Sequence, residues 1–408
     1  MLSSVMTARL LAPSGKGLLT LLLMIPWLTT VLGRMGIGHA INYYSARVDP
    51  HVLFVNVLVL SGTISIVLVA IASSIVYFVF PTILHGASTF AIAGTMVLIP
   101  LYLYNDSLVN ALLGSYRISQ KNRLLIGQAL IMLLLTATLA LFHRISVTYI
   151  LLVTIIGLVC FIIGALFILM PKAYPGIRAF DPSLVKDLLK FGCKAHWGNI
   201  LIDLSHRGDI LIIGSLLSPY YVGCYAVAVM IAELLWKVPD AVGSTLLARV
   251  SKMPADEARQ FTPRVCRLML FYMLISTGIM FALGKWVVLV FFGAAYRDSI
   301  MVLMLLLPGI LCFAIWKILA SDLIAQGYPS KYSYSSTLSL FVMVALDLLL
   351  IPRWGINGAA IASTFAYITA TSSIVYIYLK ITKTDLIDII KPNPKDFVHL
   401  KAVFGVSK

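Results

Sequence analysis

The chain is 408 residues long, 60% hydrophobic and only 12% charged, with a mean hydropathy of +0.98. Soluble domains carry about 25% charged residues, so this composition excludes an ordinary soluble domain and describes a polytopic membrane protein. The net charge of +15 does not point to nucleic acid: the basic residues sit in short connections between apolar runs, as the positive-inside rule expects.

Residues 1–12 are too short to cross a bilayer, which takes about 20 apolar residues, and they stop at Pro13. They lack the apolar stretch and cleavage site of a removable leader. The next helix is expected over about 17–44, with further spans near 52–79, 88–116, 124–143 and 148–170. A loop rich in Lys and Pro intervenes. Spans resume at 195–217, 220–248, 265–284, 299–326, 331–351 and 356–379, giving eleven full spans and one N-terminal fragment. With the 45–50 connection in the cytoplasm, 21 of the 31 Lys and Arg face that side, six the other, and four fall within spans. This bias places the C-terminus inside.

An internal repeat appears at an offset of 206: Leu10-Leu11-Ala12-Pro13 with Gly17 matches Leu216-Leu217-Ser218-Pro219 with Gly223, and Met24-Ile25 falls on Met230-Ile231. Pro100 and Pro308 echo one another at an offset of 208. Six spans per half is an even number, so the repeats are parallel, related by an axis along the membrane normal. The expected architecture is all-α and membrane-embedded, with about 12 transmembrane helices in two six-helix bundles. Residues 1–171 form the first bundle, 172–194 an amphipathic cytoplasmic linker, 195–380 the second bundle and 381–408 a basic cytoplasmic tail. Because the helix before Pro219 begins near Ala195, its counterpart before Pro13 is expected to be truncated. The stretch 184–194 and the tail are expected to lie against anionic headgroups.

The most informative stretch is 191–232, where apolar runs surround Asn199, Asp203, His206, Arg207 and Asp209. Charges at such depth cost about 2.5–3.5 kcal/mol each on insertion scales, and persist where they pair or line a polar cavity. Asn199, Asp203 and Arg207 are spaced i, i+4, so an Asp203–Arg207 pair can form on one face. Glu233, Lys237 and Asp240 repeat the pattern on the next helix. Self-neutralising pairs that join two helices are the structural alternative. Arg34, in Gly33-Arg34-Met35-Gly36-Ile37-Gly38, and Lys317 have no carboxylate at i±3 or i±4. Cations of this kind need an anion, and a substrate phosphate would serve; snorkelling to the interface is the alternative. Asp106 and Asp347 are lone acids able to take a proton or cation, or to bond a neighbouring helix.

No enzyme signature, phosphate-cradling glycine loop or metal spacing occurs. The five cysteines and seven histidines are scattered, and no cofactor or metal is expected.

The run from Lys194 to Ala228, with Gly198-Asn199, Arg207-x-Asp209, Gly214, Pro219, Gly223-x-Tyr225 and Ala226-Val227-Ala228, resembles the oligosaccharide flippase family. These are the O-antigen and polysaccharide translocases of the multidrug/oligosaccharidyl-lipid/polysaccharide exporter superfamily. Phe292-Gly293-Ala294-Ala295-Tyr296 with Leu307-Pro308-Gly309, and the run from Ile351 to Ala362, agree with it, as does Leu10-Leu11-Ala12-Pro13 with Gly15 and Gly17. The resemblance covers essentially the whole chain. It implies two bundles facing a central cavity and alternating access. The cargo would be an undecaprenyl-pyrophosphate-linked oligosaccharide, carried to the outer leaflet of the plasma membrane for polysaccharide or O-antigen synthesis. Arg34, Arg207, Lys237 and Lys317 would then meet the pyrophosphate. Asn199, Asp203, Asp209, Glu233 and Asp240 would line the cavity, with Asp209 or Glu233 serving ion coupling. The implied partners are membrane lipids and the polysaccharide polymerase and chain-length machinery. The missing start of the first helix departs from the pattern. A multidrug exporter of the same superfamily would favour an acidic, aromatic cavity. A membrane glycan polymerase or ligase would want a large outer loop, and the longest one, near 285–298, is short and mostly apolar.

Overall fold

The computed structural model describes residues 2–45, 47–79, 88–143, 145–169 and 180–391, with the side chains of 77–79, 194, 195, 197–199, 202 and 255 outside the description. Among the described residues all regular structure is helical. Backbone amides in lipid find no water and must pair within their own segment, which a helix achieves. The helices are α1 (Leu2–Gly33), α2 (Ile37–Tyr44), α3 (Pro50–Val79), α4 (Thr89–Gly114), α5 (Ile118–Leu141), α6 (Val147–Leu169) and α7 (Pro182–Leu216). They continue as α8 (Pro219–Leu235), α9 (Lys237–Val250), α10 (Ala255–Phe291), α11 (Asp298–Ala325), α12 (Pro329–Thr382) and α13 (Leu386–Ile390). Eight of them are long and apolar enough to cross a membrane, and α8 with α9, bent by 46°, passes as a pair. The chain is a multi-pass membrane protein.

Three breaks divide elements that are continuous in apolar content. Ala12, at φ 55° and ψ 174°, interrupts α1 just before Pro13, whose ring suits the first turn of a new helix. Helix α12, with 54 residues, would be about 80 Å long as a straight rod, far beyond a hydrocarbon core of about 30 Å. It turns at Gly355, where φ is 58°. Ser335 Oγ donates to Ala370 O (2.8 Å) and Ser339 Oγ to Ala366 O (3.0 Å). Four residues forward thus match four residues back, so α12 is a hairpin of two spans. The third break, between α1 and α2, falls inside the helix expected over 17–44.

The chain divides into two compact units. One comprises the residues up to Ile200 together with Leu217–Gly223; the other comprises Leu201–Leu216 and the described residues from Cys224 onward. In the first unit α4 packs on α1, α2, α3 and α6. The stretch expected to lie on headgroups is amphipathic: Leu184 and Leu188 enter a core with Ile41, Leu53 and Val57, while Lys186, Asp187 and Lys190 stay exposed.

The two halves of the sequence repeat meet directly in this unit. A Cβ on Gly17 would lie 1.7 Å from Pro219 O, and a Cβ on Gly223 would lie 2.0 Å from Pro13 O. Apolar side chains gain little by leaving lipid, so membrane helices associate through close backbone approach at small residues. In the second unit α11 packs on α9, α10 and α12. Gly309, after Pro308, admits the α12 backbone: its Cβ would sit 2.7 Å from Thr364 Cα, and Thr364 Oγ1 donates to Leu305 O (2.6 Å).

Candidate functional site

In the first unit the nominated cation is Arg34, half-buried at the break between α1 and α2. The break is made by Met35 and Gly36, both left-handed at φ 45° and 67°. It is seated on the backbone of α7, since a Cβ on Gly36 would lie 2.2 Å from Gly192 O and one on Gly192 2.5 Å from Met35 O. Helix ends leave carbonyls without intrahelical partners, and His196 Nε2 donates to Leu32 O (3.0 Å). Beyond the turn, Asn42 Nδ2 donates to Asn110 Oδ1 (3.1 Å). An apolar cavity of about 460 Å³, lined among others by Gly33, Met35, Thr63 and Val67, opens beside the break.

The second unit holds the remaining nominated residues, and here the expected pairings change. Arg207 pairs with Glu233, Nη2 to Oε2 3.5 Å, and its partner thus comes from α8 and not from Asp203 one turn away. Lys317 is not a lone cation. Its Nζ lies 2.6 Å from Asp240 Oδ1, a partner 77 residues distant in sequence that spacing along α11 could not reveal. The same ammonium lies over the rings of Trp236, at 4.9 Å, and Phe313, at 5.5 Å. His206 meets these two rings edge-on at 5.7 and 5.5 Å. Glu233, Lys237 and Asp240 do not share one straight helix, because the chain bends at Trp236 between α8 and α9. Lys237 opens α9 and is exposed; Asp203 is half-buried on α7. The side chain of Asn199 lies outside the described ones.

Deeper in this unit Asp209 is 2% exposed. It accepts hydrogen bonds from the Tyr225 hydroxyl, from Ser363 Oγ (3.2 Å) and from the Ile210 amide (2.7 Å). Asp322, near the C-terminal end of α11, accepts from Thr262 Oγ1 (2.6 Å) and Gln326 Nε2 (2.5 Å). Asp347 differs: it is fully buried, and neither carboxylate oxygen has a hydrogen-bond partner among the described residues. Tyr225 and Ser363 escaped sequence reasoning as site residues because they approach Asp209 only through the fold, although Tyr225 stands in the Gly223-x-Tyr225 motif. Among the described residues no three His, Cys, Asp or Glu gather as a metal site, and all five cysteines are free thiols.

A family model described as "Polysaccharide biosynthesis protein" matches residues 6–301, more than half of the chain. The chain belongs to this polysaccharide biosynthesis family. Among curated relatives, the probable low-salt glycan biosynthesis flippase Agl15 of Haloferax volcanii is 24% identical over 167 residues, 40% of this chain and 35% of that protein. The chain spans less than half the length of the curated relatives it matches. Two solved structures share its fold. An inward-facing multidrug resistance MATE family transporter of the MOP superfamily has a TM-score of 0.77 at 14% identity, covering 100% of this chain and 95% of that one. The lipid II flippase MurJ, in an inward closed conformation, has a TM-score of 0.76 at 14% identity, covering 100% and 90%. The MATE-like fold expected from the sequence is the fold observed.

Proposed function

We propose that this member of the polysaccharide biosynthesis family is a transporter, not an enzyme, and that it moves a polyprenyl-pyrophosphate-linked oligosaccharide from the cytoplasmic to the outer leaflet by alternating access. The observation that carries the reading is the placement of Arg34: a half-buried guanidinium at the helix break where the α1 span ends. A guanidinium offers a planar fork of donors to a phosphate, and at the end of a span it stands where a lipid-linked headgroup would enter. In the second unit Arg207 and Lys317 are paired with Glu233 and Asp240, so the preference for an anionic headgroup rests on Arg34 and on the family. The family description and the flippase among the relatives support the same cargo.

Asp347 supplies the coupling group in this reading. A buried ionised carboxylate without a partner is prohibitively costly, so Asp347 carries a proton or holds a cation, with Asp209 as the neighbouring acid of the same unit. The excess of basic residues on one side supports a plasma-membrane orientation with the C-terminus in the cytoplasm, where glycan-assembling and polymerising machinery would be its partners.

The test is translocation in proteoliposomes of a fluorescent polyprenyl-pyrophosphate oligosaccharide, with a cationic dye in parallel. The native protein is expected to move the lipid-linked sugar and not the dye. Arg34→Ala should lower that rate at least tenfold while inserting and accumulating normally. Movement of dye alone would turn the reading to drug export.

A further inference from the structure

The Lys317–Asp240 pair has a geometry that a static ion pair does not require. The ammonium is held in place by groups other than Asp240. It lies over Trp236 and Phe313, and both rings are themselves fixed. Trp236 Nε1 donates to Ile310 O (3.2 Å). Phe313 stacks on Trp316 at 4.6 Å and 10°, and Trp316 Nε1 donates to Ser335 Oγ (2.9 Å). Ring faces attract an ammonium through their quadrupole, so the Lys317 position is preorganised whether or not a carboxylate is present.

Asp240 is placed for the opposite role. It is 48% exposed against 15% for Lys317, so the carboxylate caps the open side of an otherwise enclosed cation. It also stands in the first turn of α9, where the helix dipole favours a negative charge. Asp240 therefore keeps a favourable setting when it lets go of Lys317. Each partner has an alternative, and the contact between them is the exchangeable part.

We propose that Asp240 is an internal stand-in for the substrate's phosphate: it covers Lys317 when the site is empty, and the pyrophosphate group displaces it on loading. This rests on the flippase reading and assigns its headgroup contact in the second unit. Stripping a partner from a buried charge is costly, and an exchange of anions never leaves Lys317 bare inside the membrane. A pyrophosphate carries more charge and more acceptor oxygens than a carboxylate, so it wins the ammonium at close range. The returning carboxylate then hastens release. Asp240 is thus a specificity and release residue that acts through Lys317.

The experiment uses the full-length protein in nanodiscs with the fluorescent polyprenyl-pyrophosphate oligosaccharide as probe. Asp240→Asn should bind the probe at least threefold more tightly than native and release it more slowly, so that transport at saturation falls. Asp240→Glu should restore native values, and Asp240→Asn combined with Lys317→Met should bind no more tightly than Lys317→Met alone. Weaker or unchanged binding by a folded Asp240→Asn overturns the proposal and leaves a purely structural pair. A measurement on the native chain removes the dependence on folding of variants. A carbodiimide activates the Asp240 carboxylate, the Lys317 amine displaces the urea, and a zero-length amide forms between residues in contact. The probe should suppress that cross-linked peptide several-fold; undiminished cross-linking by bound probe overturns the exchange. If native protein moves the probe while both readouts stay flat, the exchange alone fails. If native protein neither binds nor moves it, the flippase reading fails and the exchange with it.

Discussion

The Arg34 turn in the first unit and the Lys317 pocket in the second admit charge into a membrane by opposite means. At Arg34 the backbone itself is interrupted, and the interruption is wedged against another backbone at Gly36 and Gly192. At Lys317 the helix runs on unbroken, and side chains alone answer the charge, two rings beneath it and a carboxylate in front. A site made of backbone tolerates no added atom. A site made of side chains tolerates substitution, and its contacts can be exchanged.

Substitutions should separate the two kinds of site, and the largest effect is expected at the backbone. Gly36→Val must hold a branched side chain at a left-handed φ of 67° with its Cβ 2.2 Å from Gly192 O. The conformation costs about 1–2 kcal/mol and the overpacking about 1–3 kcal/mol or more. Accumulation of monodisperse protein, read by size-exclusion chromatography in detergent, should fall several-fold. Native-like accumulation would show that the break is not seated as described.

A smaller effect, of opposite sign at two acids, should appear within the second unit. Asp209→Asn weakens charge-assisted bonds from Tyr225 and Ser363, each worth about 1.5–3 kcal/mol, and should lower the thermal midpoint. Asp347→Asn removes a buried carboxyl that has no hydrogen-bond partner among the described residues, and should leave the midpoint unchanged or raised while abolishing gradient-driven transport. A loss of stability at Asp347 equal to that at Asp209 would show that its surroundings already satisfy it.

The smallest effect is expected at Arg207 and Glu233. Their 3.5 Å contact has side chains 42% and 28% exposed, so a double-mutant cycle with Arg207→Met and Glu233→Gln should return a coupling of at most about 1 kcal/mol. A much larger value would place this pair with the enclosed contacts and not with the open ones.

The membrane class, most of the spans and the repeat motif were legible in the sequence because they depend on local apolar length and on residues a fixed distance apart; the span expected over 195–217 falls in α7, which is not among the eight described helices long and apolar enough to cross. The amphipathic stretch near 184–194 was legible in its two faces, but the sequence did not show that Leu184 and Leu188 would find a protein core. Charge partners were the poorly legible part. The i, i+4 rule nominated Asp203 for Arg207, yet Glu233 on the neighbouring helix takes it. Lys317 looked alone because its partner, Asp240, lies on another helix. Glycines such as those around Arg34 permit close backbone approach, and Gly36 does approach Gly192. That they end one helix and begin another follows from left-handed Met35 and Gly36, which apolar periodicity does not report.

The meeting of Gly17 and Gly223 carries a consequence for ancestry. Each belongs to the same motif, a proline followed four residues later by glycine, and each glycine faces the carbonyl of the other motif's proline. A contact in which a feature meets its own copy is isologous, the kind that closes a two-fold homodimer. The surface of one motif is therefore complementary to itself. A half-length chain carrying a single copy would already possess the patch needed to pair with a second molecule, and joining two such halves end to end would turn an association between molecules into an internal fold.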